Sequence, residues 1–178
     1  MTSRTPFVYT RIYIMFLLEL TRALQNAKVP FCVVGGYAVA LHGVVRGTID
    51  IDITIPFDQK AFEKLESALL GLGLEPRLPV RSTEVFQFRE EYIKNRNLIA
   101  WGFIDPKTPI RQVDVILTHS VKDLNPQMIR LRDFRIPLAS IEGLIRMKEM
   151  SPRAQDREDV LSLKNILRQT NTHKGSKK

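Results

Sequence analysis

The sequence predicts an α+β domain, and three observations carry that reading. Residues 49–55 alternate apolar and polar, the period of a β-strand. Residues 9–27 place Ile12, Phe16, Leu20 and Leu24 near helical spacing. The elements run as a helix, then a mixed stretch with at least three strands, then two helices, an order that fits an α+β domain with a helical C-terminal part.

Each element has a local reason. Pro30 ends the first helix, and residues 31–34 form a short apolar strand broken by Gly35-Gly36. Residues 37–42 read as the first turns of a helix. The strand 49–55 stops at Pro56, and Asp58 caps a helix over 59–70. Gly71 and Gly73 mark a turn. Residues 85–89, 98–104 and 112–117 are expected strands, with a shorter one at 135–138. Ser140 caps a helix through Met150, and Pro152 separates it from a last helix over 155–169.

At 178 residues the chain has the length of a single domain. That domain is expected over 1–170, with an N-terminal helix in 1–28 and C-terminal helices in 140–170. A basic tail, 171–178, is expected to be disordered. The single cysteine, Cys32, excludes an intramolecular disulfide and a CxxC metal site, which suits a reducing cytoplasm. The apolar run 12–18 is too short to span a membrane. The net charge is +8, of which +5 lies in 146–178, where nine Lys or Arg face four acids. Such a balance permits a polyanionic partner; in the tail it equally fits plain solvation.

Within the strand Thr48-Ile49-Asp50-Ile51-Asp52-Ile53-Thr54, Asp50 and Asp52 share one face, and the isoleucines at 49, 51 and 53 share the other. Two adjacent carboxylates repel, and a divalent cation removes the conflict; carboxylate oxygens suit Mg²⁺ or Mn²⁺. Taken alone, the pair also fits a solvent-facing strand. Asp114, isolated among apolar residues in 111–117, becomes a third carboxylate if its strand lies beside the first. Two ions could then clamp a phosphoryl centre, and the third acid could take a proton from an attacking hydroxyl. Gly35-Gly36, between a strand and a helix, lets the backbone approach a phosphate closely, although a bare glycine pair also fits a tight turn. There is no Walker-type or dinucleotide fingerprint, no nucleophile elbow, and His42, His119 and His173 lack zinc spacing.

Gly35-Gly36, then Arg46-x-Thr48-x-Asp50-x-Asp52, then a distal Asp114, resemble the nucleotidyltransferase superfamily of the DNA polymerase β type, and most closely its minimal bacterial branch of AbiEii-like and MenT-like toxins. Leu144-Ile145-Arg146-Met147-Lys148 and the later run holding Asp156 resemble that branch's late elements. The resemblance implies a polymerase β-like mixed sheet with flanking helices. It also implies a metal-dependent transfer of a nucleoside monophosphate from an NTP such as ATP to a hydroxyl. Asp50, Asp52 and Asp114 would ligate metal, with two ions expected. Gly35, Gly36, Arg46, Thr48 and Lys148 would hold the nucleotide, and Lys148 would join the three acids in catalysis. Asp156 would position the nucleotide or Lys148. Gly36 stands where many relatives carry serine, so a hydroxyl contact to phosphate is lost. The implied acceptor is RNA, at the 3′ end of tRNA, with an antitoxin protein as partner. The alternatives are a small-molecule nucleotidyltransferase of the antibiotic-resistance type and a non-catalytic nucleotide- or RNA-binding module.

Overall fold

The computed structural model describes the backbone of residues 5–175 and the side chains of residues 14–170. The chain order is α1 (Thr5–Asn26), β1 (Cys32–Val33), α2 (Gly35–Leu41), β2 (Ile51–Thr54), α3 (Gln59–Gly71), β3 (Glu75–Pro76), α4 (Ser82–Gln87), α5 (Arg89–Arg96), β4 (Ala100–Ile104), β5 (Gln112–Ile116), β6 (Gln127–Leu131), β7 (Phe134–Leu138), α6 (Ile141–Glu149) and α7 (Ala154–Gly175). A 3₁₀ turn, Val121–Leu124, precedes β6. The side chains of the expected tail, 171–178, lie outside the described residues. Among the described residues, no helix is long and apolar enough to cross a membrane.

The seven strands form one mixed sheet in the order β3-β4-β5-β2-β1-β7-β6. Its centre is the parallel pair β2–β5, where Ile51 faces Val113, Asp52 faces Asp114 and Ile53 faces Val115. Residues directly opposite in a ladder share a face. Ile51, Ile53, Val113 and Val115 are therefore fully buried together, while the two aspartates share the other side. On β4 the same alternation buries Trp101 and Phe103 and turns Gly102 toward Asp114, its partner in register. The apolar side is covered by α3, whose Phe62, Leu65 and Leu69 are buried. Phe62 stacks on Trp101 at 6.4 Å between centroids, and Trp101 meets Phe103 edge-on at 4.6 Å. One face of the sheet thus stores the core, which leaves the other to carry polar groups.

The expected caps form. Asp58 accepts from the Ala61 N–H at 2.9 Å, and Ser140 accepts from the Gly143 N–H at 3.0 Å. Three local expectations change. Residues 85–89 do not form a strand: they belong to α4 and the start of α5. The cause is a distant cap. Glu66 of α3, almost fully buried, accepts from the Ser82 hydroxyl at 2.7 Å, the Ser82 N–H at 3.3 Å and Arg81 Nε at 2.8 Å. This satisfies the first turn of α4 from another element, and Glu84 closes back on the Arg81 N–H at 3.0 Å. Second, the β2 ladder begins at Ile51, so Ile49 is half exposed rather than in the core, and Asp50 sits just ahead of the strand. Third, β6 is, with the two-residue β3, a strand beyond those expected. It is an edge strand with no buried residue, pairing antiparallel with β7 through a turn in which Arg132 takes a left-handed φ of 55°, so its sequence lacks the alternation that half-burial imposes.

Candidate active site at the carboxylate triad

Pairing β2 with β5 brings together what the sequence holds far apart. Asp50, Asp52 and Asp114 each offer a carboxylate oxygen, and these oxygens lie within 4.8 Å of one another. Thr48 orients the first of them: its hydroxyl donates to the Asp50 carboxylate at 3.3 Å and lies 3.4 Å from the Asp50 carbonyl. Burial first, then the charges of Asp50 and Asp114, raise the Asp52 carboxyl to about 7, against a hydrogen bond from the Gly36 N–H and the charge of Lys148, which pull it down. Burial also raises Asp114, against the opposing charge of Arg77, with Asp50 adding to the rise. A cluster in which the charged form is disfavoured by its own neighbours is relieved by a cation. Three hard oxygen donors and no nitrogen or sulfur are the donor set of Mg²⁺ or Mn²⁺.

The glycine pair is built onto this cluster. Gly35 has a left-handed φ of 60°, and a Cβ there would stand 1.7 Å from Asp52 Oδ2. A Cβ on Gly36 would stand 2.8 Å from the Thr48 Cβ and 3.1 Å from Arg46 Nε. The backbone therefore lies directly against the acids and against Thr48. The glycines form the first turn of α2 itself, two residues earlier than expected.

The cationic side of the site is a closed network. Lys148 on α6 is 5% exposed, and its Nζ contacts Asp156 Oδ1 at 2.6 Å and Asp159 Oδ2 at 2.7 Å. Arg46 reaches Asp159 Oδ1 at 3.3 Å. Asp156 also accepts from Ser151 Oγ at 2.6 Å and Arg153 Nε at 2.7 Å. Burial alone would raise Asp156, but the hydrogen bonds from Lys148, Ser151 and Arg153, with the Lys148 charge, hold it at about 2. Arg46, Lys148 and Asp156 are thus brought together, and the link between them is Asp159, which sequence reasoning misses. Its signal is its spacing: three residues after Asp156 it shares that helix face.

A cavity of about 440 Å³ opens beside these groups. Gly35, Asp52, Lys148 and Asp156 line its polar part, and Ile99, Ile116 and Met147 its apolar part. His119 also lines it, and burial pushes its imidazole down, toward the neutral form. His42 lies at the end of α2, where its Nε2 is 2.8 Å from the Ala139 carbonyl.

No family model and no curated protein matches the sequence. Solved structures do. The antibiotic-resistance factor ANT(2″)-Ia, in complex with adenylyl-2″-tobramycin, superposes with a TM-score of 0.57 at 15% identity over 86% of this chain and 88% of that one. The lincosamide antibiotic adenylyltransferase LnuA, lincomycin-bound, gives 0.56 at 17% identity over 85% and 96%. This chain has the nucleotidyltransferase fold. An antigenic nucleotidyltransferase-like protein from Paracoccidioides brasiliensis shares it, with a TM-score of 0.52 at 16% identity over 84% of this chain and 73% of that one. On the nucleotidyltransferase fold of this chain, the acid triad lies on the open face of the central strands and the glycine turn at its edge.

Proposed function

We propose that this chain is a metal-dependent nucleotidyltransferase that moves a nucleoside monophosphate from an NTP, ATP among them, to an acceptor hydroxyl. The observation that carries the reading is the in-register pair Asp52–Asp114, joined by Asp50 within 4.8 Å and backed by Gly35. Asp50, Asp52 and Asp114 hold the metal. When bound, Mg²⁺ or Mn²⁺, as one ion or two, neutralises charge on the phosphoryl oxygens. Asp114 receives the proton of the acceptor hydroxyl as its oxygen attacks the α-phosphorus. The new P–O bond forms, the α–β bridging bond breaks, and pyrophosphate leaves with the bonding electrons. The backbone at Gly35 and Gly36 lets the triphosphate approach, Thr48 keeps Asp50 turned inward, and Arg46 and Lys148 face the phosphates. Asp156 positions Lys148 through their 2.6 Å contact.

The acceptor in this reading is RNA, at the 3′ end of tRNA, in a cytoplasmic toxin of the AbiEii/MenT kind with an antitoxin partner. The support is the net charge of +8. A second reading has a specific observation behind it: the superposed ANT(2″)-Ia and LnuA structures carry an adenylylated aminoglycoside and a lincosamide, so a small-molecule hydroxyl is the rival acceptor. Incubation with radiolabelled NTPs, Mg²⁺ and either total tRNA, tobramycin or lincomycin separates the two. Label on RNA that disappears in Asp50→Ala and Asp52→Asn is the expected result. Label on the antibiotic alone selects the second reading, and no transfer to any acceptor refutes both.

A further inference from the structure

We propose that Arg77 is the acceptor-side anchor of this site, gripping a phosphodiester of the RNA strand whose terminal hydroxyl is modified. The inference rests on the transferase reading above. Across the sheet the order is the glycine turn after β1, Asp52 on β2, Asp114 on β5, Gly102 on β4, and Arg77 just beyond β3. In-line phosphoryl transfer puts the leaving and attacking oxygens on opposite sides of phosphorus. With the triphosphate on the glycine-turn side, the acceptor enters over β5, β4 and β3. Arg77 stands on that side.

Its placement is built. The Arg77 N–H donates to the Gly102 carbonyl at 2.9 Å, which extends the pairing of β3 with β4. A Cβ at Gly102 would lie 2.9 Å from Asp114 Oδ1 and 3.1 Å from Arg77 Cδ. Glycine there gives the arginine stem room to cross β4 beside the third acid, where a Cβ would make one of the two side chains shift. The Arg77 guanidinium donates to the side-chain oxygen of Gln112, and Gln112 donates its own amide N–H to the Pro109 carbonyl at 2.6 Å, which fixes the amide orientation. Arg46 and Lys148 already pair with Asp159 and Asp156 on the nucleotide side of the site. Arg77 is exposed and, although its charge bears on Asp114, it makes no salt bridge among the described residues, so guanidinium N–H groups remain for a ligand. Arginine presents a planar fork that matches phosphate oxygens, and a polycationic acceptor would be repelled by it.

The test uses the whole chain with Arg77→Gln and Arg77→Lys. A fluorescent single-stranded oligoribonucleotide with a free 3′ hydroxyl is titrated by anisotropy over a range of KCl. Transfer from NTP to the same oligonucleotide is measured in parallel. Arg77→Gln is expected to weaken binding roughly tenfold, the loss of one charge-assisted contact. It should also reduce the salt slope by about 0.7, the release expected for one phosphate on a single strand. KM for the acceptor rises while KM for the NTP and the melting temperature stay as in the wild type, and Arg77→Lys recovers part of the affinity. A wild-type enzyme that labels the oligonucleotide and an Arg77→Gln enzyme with unchanged acceptor KM and salt slope would overturn the anchor and leave the transferase intact. Equal loss of NTP affinity would overturn it too, by showing that Arg77 serves the nucleotide side. A wild type that labels tobramycin or lincomycin but not the oligonucleotide also overturns the anchor and leaves the transferase intact, whereas no label on any of the three acceptors is the failure of the transferase itself.

Discussion

Gly35→Ala tests how tightly the glycine turn and the acid cluster depend on one another. Two costs follow from the structure. Gly35 sits at φ 60°, where an L-residue loses about 1–2 kcal/mol. The new Cβ would also stand 1.7 Å from Asp52 Oδ2, 2.4 Å from its Cγ and 2.7 Å from its Cβ. Overpacking of this kind costs about 1–3 kcal/mol when the neighbour can yield. The combined loss is therefore about 2–5 kcal/mol, unless Asp52 rotates away, in which case the stability loss shrinks and the carboxylate leaves the triad. Urea denaturation in EDTA measures the stability, and NMP transfer measures the site. Asp52→Ala removes the two shortest clashes, so Gly35→Ala added to it should cost less than in the wild type, a coupling of roughly 1–3 kcal/mol. A Gly35→Ala protein that keeps both full transfer activity and wild-type stability would refute this packing of the turn against Asp52.

Two further outcomes follow. Asp52 carries its proton up to about 7 in the folded chain against an ordinary 3.8. Between those values the folded state binds a proton that the unfolded state has lost, so stability present below about pH 4 declines as pH rises through 7. In EDTA the wild type should lose roughly 1–3 kcal/mol across that window relative to Asp52→Asn, shared with Asp114, and parallel pH–stability curves for the two proteins would contradict it. Lys148→Met removes the cation that Asp156 and Asp159 share, leaving Asp156 with Ser151 and Arg153 and Asp159 with Arg46. Both acids are 2% exposed, so the change should cost up to about 3–5 kcal/mol, with Asp159→Asn restoring part of it. The Asp156 contribution is present above about pH 4 and lost as pH falls toward 2, so the acid limb of the wild-type curve should flatten in Lys148→Met; an unaltered acid limb would show that the pair contributes nothing.

Much of the site is legible before the fold because its signals are local. Strand periodicity alone puts Asp50 and Asp52 on one side, and an isolated acid in an apolar run marks Asp114 as unusual. The caps at Asp58 and Ser140 are equally local, and both form. The strand expected at 85–89 fails because the group that stabilises a helix there, Glu66, lies on another element and leaves no mark near Val85. Arg77 is invisible for a related reason: in sequence it is one arginine near prolines, and nothing around it names Gly102 or Gln112.

The chain by itself determined the α+β class, the acid pair and the glycine turn, since each depends on residues within a few positions of one another, whereas Lys148 and Asp156 stand out only through the family resemblance. Tertiary structure alone decided that β5 lies against β2 so that Asp114 meets Asp52, that Asp159 ties Arg46 to Lys148, and that Arg77 flanks the third acid. Those contacts are choices of sheet neighbour and helix docking. They are set by burying Ile51, Ile53, Val113 and Val115 with the aromatic core beneath, a property of the whole packed molecule that no single window of sequence contains.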